Sequence, residues 1–251
     1  MRTYGLQCRG TPLLKVAELR GRVGLPPRAL AQPAPASVDL RPRMPPVYDQ
    51  GQLGSCTANA LCAMMQYYDA QLRGSRLFLY YNERAQEGTV ASDAGATLAD
   101  GIKCLQTQGL CQESLWPYVP QRFAQKPADV CYASALSHEA LVPSYVPLSQ
   151  LKLALGAGHP VAVGIRVYES FESAAAARTG AVPMPAPGEK LLGGHAVVLC
   201  GYRDADQRWL LRNSWGAGWG AGGYFTLPYA YLLRFCSEAW TFPAITNPTT
   251  A

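Results

Sequence analysis

The sequence is poor in charge, in histidine and in long apolar runs: 16% of its 251 residues are charged and three are histidine. No apolar run approaches the ~18 residues that a membrane-spanning helix needs. The basic N-terminus also lacks the apolar core of a secretory signal. We therefore expect no membrane insertion, and a location in the cytoplasm or outside the cell by a route that needs no cleaved signal.

The eight cysteines include no CxxC pair, and the histidines at 138, 159 and 195 lie far apart. This spacing is not that of a zinc site, so we expect no metal ion and no other cofactor. The sequence alone does not pair the cysteines into disulfides.

Positive charge is concentrated at the N-terminus, where residues 1–43 carry a net charge of +6 and the remaining residues −1. No basic face with interleaved aromatic residues is present, so we expect no nucleic-acid binding. We also expect a monomer. The N-terminal arm, residues 1–46, ends in the proline-rich LAQPAPASVDLRPRMPP, which favours extended chain. Three interpretations stay open: a flexible tail, a strap over the body that acts as a short propeptide, or a basic tail for export or partner binding.

Helical patterns dominate the first half of the body, and β patterns dominate the second. Helices are predicted from Cys56 through TANALCAMMQYYDAQL, at RLFLYYNERAQ and at TLADGIKCLQTQG, where Gly109 fits a C-terminal stop. Short β-rich runs follow at VAVGIRVY, HAVVLCGY, RWLLRN, GGYFTL and SEAWTF, interrupted by one helix, LSQLKLALGAG. This order predicts an α+β fold with a helical subdomain at 47–135, a β-rich subdomain at 136–251 and a cleft between them.

Cys56 stands at the start of the first of these helices, with Ser55 available as its N-cap. The helix dipole and the unpaired N–H groups there favour a thiolate, so we expect a lowered pKa and a nucleophilic role. The alternative is a buried structural thiol, because free cysteine is among the most buried residue types.

His195 is the best placed of the histidines to act as a base, because it begins an apolar strand next to two glycines. A hairpin that turns at residues 204–207 would bring Asn213 within about two residues of register with His195, or roughly 7 Å along the strand. Asn213 could then orient the imidazole, and Trp215 and Trp219 could shield that hydrogen bond from water. The side-chain amide of Gln50 could form an oxyanion hole with the Cys56 N–H.

Three sequence blocks resemble the signatures of papain-family cysteine peptidases, and the first is typical of the family's bacterial branch. The blocks are Gln50-Gly-x-x-Gly54-Ser55-Cys56, Gly194-His195-Ala196-Val197 and Asn213-Ser214-Trp215-Gly216-x-Gly218-Trp219-Gly220. The resemblance implies a papain-like fold with a helical left domain, an antiparallel, β-barrel-like right domain and the active-site cleft between.

The same resemblance implies roles for individual residues. Cys56 would be the nucleophile, His195 the base, Asn213 its orienting group and Gln50 the oxyanion-hole donor. The substrate-binding residues would be Gly54, Gly95, Gly194, Trp215 and Glu238, the last as a candidate for a basic side-chain preference.

The chain also departs from the Cys-Gly-Ser-Cys-Trp pattern of plant and animal members, because Leu53 replaces the first cysteine and Thr57 the tryptophan. The first change removes that branch's usual disulfide partner, and the second alters the packing behind the cleft.

Three functions stay open. The first is a cysteine peptidase that hydrolyses peptides or proteins through an acyl-enzyme. The second is an acyltransferase or deamidase that acts on a specific protein, and the third is a non-catalytic binding module. Retention of Cys56, His195, Asn213 and Gln50 argues against the binding module.

Overall fold

The longest helices lie in the first half of the body. The computed structural model describes residues 3–7, 22–25, 33–139 and 142–242. The helices are α1 (Cys56–Tyr68), α2 (Arg76–Glu87), α3 (Leu98–Thr107), α4 (Asp129–Ala135), α5 (Leu151–Gly156), α6 (Ala174–Thr179) and α7 (Tyr229–Phe235). Gly109 lies just beyond α3 with φ +71°, the left-handed conformation typical of a residue that ends a helix. No helix in the described ranges combines the length and hydropathy needed to span a bilayer.

Ser55 occupies the N-cap position of α1, but its side chain makes no capping hydrogen bond. Its hydroxyl lies 2.6 Å from the Tyr118 hydroxyl and accepts a hydrogen bond from Asn59 Nδ2 at 3.0 Å. The predicted capping role is therefore wrong, because Ser55 Oγ is engaged by side chains. The first N–H groups of α1 are therefore left without a cap from the Ser55 side chain.

The β-rich half forms one mixed sheet. Its strands are β1 (Arg22–Val23), β2 (Ser37–Asp39), β3 (Ser144–Tyr145), β4 (Val161–Tyr168), β5 (Leu191–Arg203), β6 (Arg208–Arg212), β7 (Tyr224–Pro228) and β8 (Cys236–Thr241). The strand order is β1-β3-β8-β4-β5-β6-β7, with β2 paired to β5. Over the described residues this path is open, so the predicted barrel-like closure is not found. The strong twist of antiparallel sheets curves such a layer without closing it.

Two apolar cores lie on either side of the cleft. One is built from α1, α2 and α3 and also includes Ala196 and Val198 of β5. The other lies against the sheet and contains Phe171, Trp215 and Trp219. Because α1 packs on β5 through small residues such as Ala60 and Ala196, the helix and the strand come close together. The predicted α+β fold with helical and β-rich layers is confirmed.

The N-terminal arm is not a separate unit in its described parts. β1 pairs in parallel with β3, and β2 pairs antiparallel with the end of β5. Residues 3–7 form a further extended piece, described below with the cleft. Cys8, which the sequence left without a role, lies outside the described residues.

A buried carboxyl group lies directly behind the start of α1. Glu83 of α2 has no solvent exposure, and its Oε2 accepts a hydrogen bond from Thr57 Oγ1 at 2.7 Å. Among the described residues its Oε1 has no partner. Burial raises the pKa of Glu83 well above its usual value, although the Thr57 hydrogen bond acts in the opposite direction. Behind the cleft, the hydrogen-bonded pair of Thr57 and Glu83 therefore stands in place of an aromatic ring.

Glu83→Gln is expected to change how stability depends on pH. The pKa of Glu83 in the folded protein lies above its unfolded value of about 4.3. Its contribution to the free energy of unfolding is therefore complete below about pH 4.3 and is lost as the pH rises toward the folded pKa. Relative to Glu83→Gln, the wild type should lose about 1.4 kcal/mol of unfolding free energy per pH unit in that window. Urea unfolding from pH 4 to 8 measures this, with the exposed Glu169→Gln as control. Parallel curves for wild type and Glu83→Gln would contradict a raised pKa.

Candidate active site

The candidate nucleophile is the first residue of α1 and is completely buried. Burial raises the pKa of the Cys56 thiol to about 12, although backbone N–H groups of Ala196 and Gly5 act to lower it. The sequence predicted a lowered pKa from the helix start alone. The difference arises because residues 3–7 cover the thiol and exclude water, so desolvation outweighs the dipole of α1.

The candidate base is oriented by a direct hydrogen bond. His195 Nε2 lies 2.8 Å from Asn213 Oδ1, and both residues are 1% exposed. The Ser214 N–H also donates to Asn213 Oδ1 at 2.8 Å, which identifies that atom as the oxygen. Because an amide oxygen only accepts, the neutral imidazole carries its proton on Nε2 and its lone pair on Nδ1.

The strand register explains part of this pairing. In the hairpin of β5 and β6, Arg203 pairs with Arg208 and Val198 with Arg212, with a register shift between Leu199 and Gly201. The shift moves the register by one residue, and beyond it Asn213 would face Val197, still two residues from His195. The rest of the gap closes because Asn213 lies beyond the end of β6 and reaches His195 with its side chain, while its N–H donates to Gly223 O at 2.9 Å.

Aromatic rings surround the imidazole. Trp215 stacks on His195 with ring centres 4.9 Å apart and an angle of 24° between the planes. Trp219 meets Trp215 edge-on at 5.0 Å, and Phe171 meets the imidazole edge-on at 6.5 Å. The predicted shielding of the His195–Asn213 bond by Trp215 and Trp219 agrees with this arrangement, because water excluded by the rings cannot compete for the bond.

Gln50 is buried beside the nucleophile and joins both parts of the site. Its Oε1 accepts from Ser214 Oγ at 2.6 Å, and its Nε2 donates to Leu53 O at 2.9 Å. Its backbone N–H donates to Ser214 O at 2.9 Å. A primary amide nitrogen carries two N–H donors, and the bond to Leu53 uses one of them. Gln50 is thus held rigidly in the loop that precedes Cys56, with one donor to offer.

The cleft next to Cys56 holds residues 3–7 of the chain itself, called the cleft segment below. Gly5 is so close to the wall that an added Cβ would lie 1.6 Å from Gly54 O. On Gly95, which has φ +71°, an added Cβ would lie 1.8 Å from Gly5 O. Only glycine fits at these positions, because the two backbones are in direct contact. The strap interpretation of the arm therefore agrees with the described cleft segment.

The cleft segment is bound through its backbone. The Leu6 N–H donates to Gly194 O at 3.1 Å. The Ala96 N–H donates to Gly5 O at 2.7 Å, and the Gln7 N–H donates to Ala96 O at 2.9 Å, a parallel bridge. The Gly194 carbonyl thus contacts the cleft segment, while its role in substrate binding stays a prediction. Ala96, and not Gly95, pairs with the backbone of the cleft segment. The Gly95 N–H instead donates to the Tyr80 hydroxyl at 3.1 Å.

Two side chains of the cleft segment occupy recesses of the cleft. Leu6 is 6% exposed and reaches Gly164, where an added Cβ would lie 2.8 Å from Leu6 Cδ2 and 3.3 Å from Glu238 Cγ. Tyr4 lies edge-on to His195 and Trp215, at 6.1 and 6.3 Å between ring centres, and its hydroxyl donates to Glu172. Glu238 and Trp215 are therefore both close to the cleft occupant.

Glu238 is held in place by two donors. Its Oε1 accepts from the Leu98 N–H at 3.3 Å, and its Oε2 accepts from Trp240 Nε1 at 2.9 Å. Among the described residues, no cluster of three or more His, Cys, Asp or Glu side chains could hold a metal ion.

Sequence reasoning missed several residues of this region. Neither the cleft segment nor Ala96 was identified, and neither was the pair of Asp93 and Tyr80 that contacts Gly54 and Gly95. The only local signal was the glycine of TYGLQ, flanked by an aromatic and an aliphatic residue in an otherwise basic arm.

The sequence model of the papain family cysteine proteases matches residues 34–237, and the chain therefore belongs to that family. An uncharacterized peptidase C1-like protein of Acanthamoeba polyphaga mimivirus is 36% identical over 218 residues, which cover 80% of this chain and 70% of that protein. Peptidase 1 of Dermatophagoides pteronyssinus is 27% identical over 198 residues, which cover 76% of this chain and 60% of that protein.

Solved structures give the same result. Xylellain, a cysteine protease from Xylella fastidiosa, matches with a TM-score of 0.83 and 35% identity, over 97% of this chain and 96% of that chain. Digestive procathepsin L 3 of Tenebrio molitor matches in fold, with a TM-score of 0.65 and 22% identity over 91% and 77% of the two chains. The predicted family and its bacterial branch are confirmed.

Because the covered Cys56 thiol has a pKa of about 12, it should remain neutral at physiological pH. The difference in thiolate absorbance at 240 nm between wild type and Cys56→Ser should show no titration step below about pH 9, since an ordinary cysteine titrates near 8.5. The same titration in urea is the control and should recover a step near 8.5. A step at or below pH 7 in the native protein would contradict the burial of Cys56.

Proposed function

We propose that this chain is a cysteine peptidase in which Cys56, His195 and Asn213 hydrolyse peptide bonds through an acyl-enzyme. The observation that carries the proposal is the buried 2.8 Å hydrogen bond from His195 Nε2 to Asn213 Oδ1. It fixes the imidazole with its basic nitrogen on the other side of the ring, on the strand that packs against α1. A histidine used only for packing would not need an orienting amide with a second donor on its oxygen.

The reaction follows from these positions. The Cys56 thiol gives its proton to His195 Nδ1, and the sulfur attacks the substrate carbonyl carbon to form a tetrahedral intermediate. The intermediate collapses as the imidazolium protonates the leaving amine, which leaves a thioester on Cys56. Water then gives a proton to His195 and attacks the thioester, and the carboxylic acid leaves as the thiol is regenerated.

Gln50 would stabilise the tetrahedral oxygen. Its remaining side-chain N–H and the Cys56 backbone N–H at the head of α1 would be the two oxyanion donors. The hydrogen bond that Gln50 Nε2 donates to Leu53 O and the one that Gln50 Oε1 accepts from Ser214 Oγ hold the amide before substrate arrives. A donor positioned in advance pays no reorganisation energy during the reaction, so Gln50 should act mainly on kcat.

The cleft segment indicates which side chains the cleft accepts. Leu6 fills a recess formed in part by Gly164 and Glu238, and it is almost fully buried there. We infer that a leucine-sized side chain is accepted at this position. The basic preference suggested by Glu238 stays a prediction, because both of its oxygens already have donors.

Substitutions in the catalytic set should reduce turnover of a fluorescence-quenched, leucine-containing peptide in a graded way. Cys56→Ala should abolish it. Gln50→Ala should lower kcat by about 100- to 1,000-fold through loss of one oxyanion donor. Asn213→Ala should lower kcat/KM by about 10- to 100-fold because the imidazole loses its orienting partner.

Asn82→Ala is the matched control, since Asn82 is also a buried amide but bonds to Phe78 O within α2. Full peptide turnover by Cys56→Ala would overturn the proposal. Release of ammonia or amine exchange without hydrolysis would instead favour the acyl-transfer function.

We further propose that the cleft segment inhibits the enzyme until it is displaced. It contacts Gly54, covers Cys56 and takes the place that a peptide backbone needs along Ala96. Within the cleft segment, the group that faces the thiol is the Gly5 N–H. Hydrolysis needs a carbonyl carbon at that position, so the bound cleft segment is an inhibitor and not a substrate.

Gly5→Val should activate the full-length protein. The added side chain has no room, since a Cβ alone would lie 1.6 Å from Gly54 O. If the covered state predominates, displacement should raise kcat/KM by about tenfold or more, because only the open fraction binds substrate. The exposed arm residue Val23, changed to alanine, is the matched control. Equal kcat/KM for wild type, Gly5→Val and Val23→Ala would remove the inhibitory role.

A further inference from the structure

One carboxylate connects the two glycines that border the cleft segment. The Gly54 N–H donates to both oxygens of Asp93, at 3.0 Å each. The Tyr80 hydroxyl donates to Asp93 Oδ1 and itself accepts the Gly95 N–H at 3.1 Å. A continuous chain of hydrogen bonds therefore runs from Gly54, two residues before Cys56, to the edge of the cleft at residues 95 and 96.

The anchor of this chain is rigid. Tyr80 is fully buried in the middle of α2, and Asp93 is half-buried in the loop between α2 and α3. A charged acceptor makes the stronger kind of hydrogen bond, and here it receives one backbone donor and one phenol.

No covalent link can take over this function. Residues 49–55 and 88–97 contain no cysteine, so a disulfide cannot join the loop before Cys56 to the cleft edge. Asp93 joins the two segments by accepting the Gly54 N–H, and Tyr80 of α2 connects Asp93 to the Gly95 N–H.

We propose that Asp93, acting with Tyr80, is a positioning residue for peptide hydrolysis: it sets the cleft edge that holds the substrate backbone relative to Cys56. This inference rests on the proposed peptidase function. Ala96 pairs with the backbone of the cleft occupant through its N–H and its carbonyl. A shift of this edge therefore moves a bound peptide relative to the sulfur, and a misplacement of about 1 Å can cost about 100-fold in rate.

The test compares two reactions of Cys56 in the full-length Gly5→Val protein, where the cleft is open. One is kcat/KM for the leucine-containing peptide, which must use the cleft edge. The other is the rate of alkylation by iodoacetamide, which is too small to use it. Asp93→Ala should lower kcat/KM by about 10- to 100-fold, with alkylation changed less than about threefold.

Two milder variants guard against a folding defect. Tyr80→Phe removes the acceptor of the Gly95 N–H and should lower kcat/KM in the same selective way. Asp93→Asn keeps one acceptor oxygen and should lose less than Asp93→Ala. The control is Asp69→Asn at the other end of α1, where a carboxylate also accepts a backbone N–H, from Gln71 at 3.0 Å, but away from the cleft.

Equal losses in both reactions would overturn the inference, because Asp93 would then act on the thiol or on the fold. Unchanged kcat/KM in Asp93→Ala and Tyr80→Phe would overturn it as well, and would leave the peptidase proposal intact. Failure of the proposed function looks different: the parent Gly5→Val protein itself would hydrolyse no peptide, and the role of Asp93 in that reaction would fall with it.

Discussion

The site depends on the close packing of α1 against β5. Cys56 and Ala60 of the helix and Ala196 and Val198 of the strand belong to one apolar core, although the two elements come from different layers of the fold. Small side chains allow the backbones to approach, so that the Ala196 N–H faces the thiol. The proposed nucleophile at the helix start and the proposed base on the strand therefore lie on elements that pack directly against each other.

Hydrogen bonds between two loops keep this arrangement in register. The loop before Cys56 and the loop after β6 are joined twice through Gln50 and Ser214, once by backbone and once by side chain. The Gly216 N–H adds a bond to Tyr48 O at 3.0 Å. Because all these groups lie in a water-poor region, each bond would be costly to break, which favours a single arrangement of Gln50, His195 and Asn213.

Local patterns in the sequence predicted the elements that carry the site. The start of α1 at Cys56 follows from an apolar helical period after two small residues, and a strand that carries His195 follows from the apolar run HAVVLCGY, although β5 begins earlier than predicted, at Leu191. Counting residues along the predicted hairpin placed Asn213 near His195. The bulge in β5 and the reach of the Asn213 side chain past the end of β6 were not predicted, because they depend on tertiary packing.

The contacts of the arm could not be predicted in the same way. Residues 3–7 bind to segments about 50, 90 and 190 positions away in the chain, and no local period encodes such contacts. The contacts of residues 3–7 also raise the pKa of Cys56, which was expected to be lowered, since the helix start favours a thiolate only where water or a positive charge is near. The lost capping role of Ser55 and the buried Thr57–Glu83 pair have the same origin, because partners distant in sequence decide both.

The account holds that Cys56 is an activated nucleophile that its own N-terminus covers. The most direct measurement is peptide mapping by mass spectrometry after brief exposure of wild type and Gly5→Val to a peptidyl epoxysuccinate. The account predicts labelling of Cys56 alone among the eight cysteines, faster in Gly5→Val than in wild type. Labelling spread over other cysteines, or none at Cys56 in either protein, would contradict it.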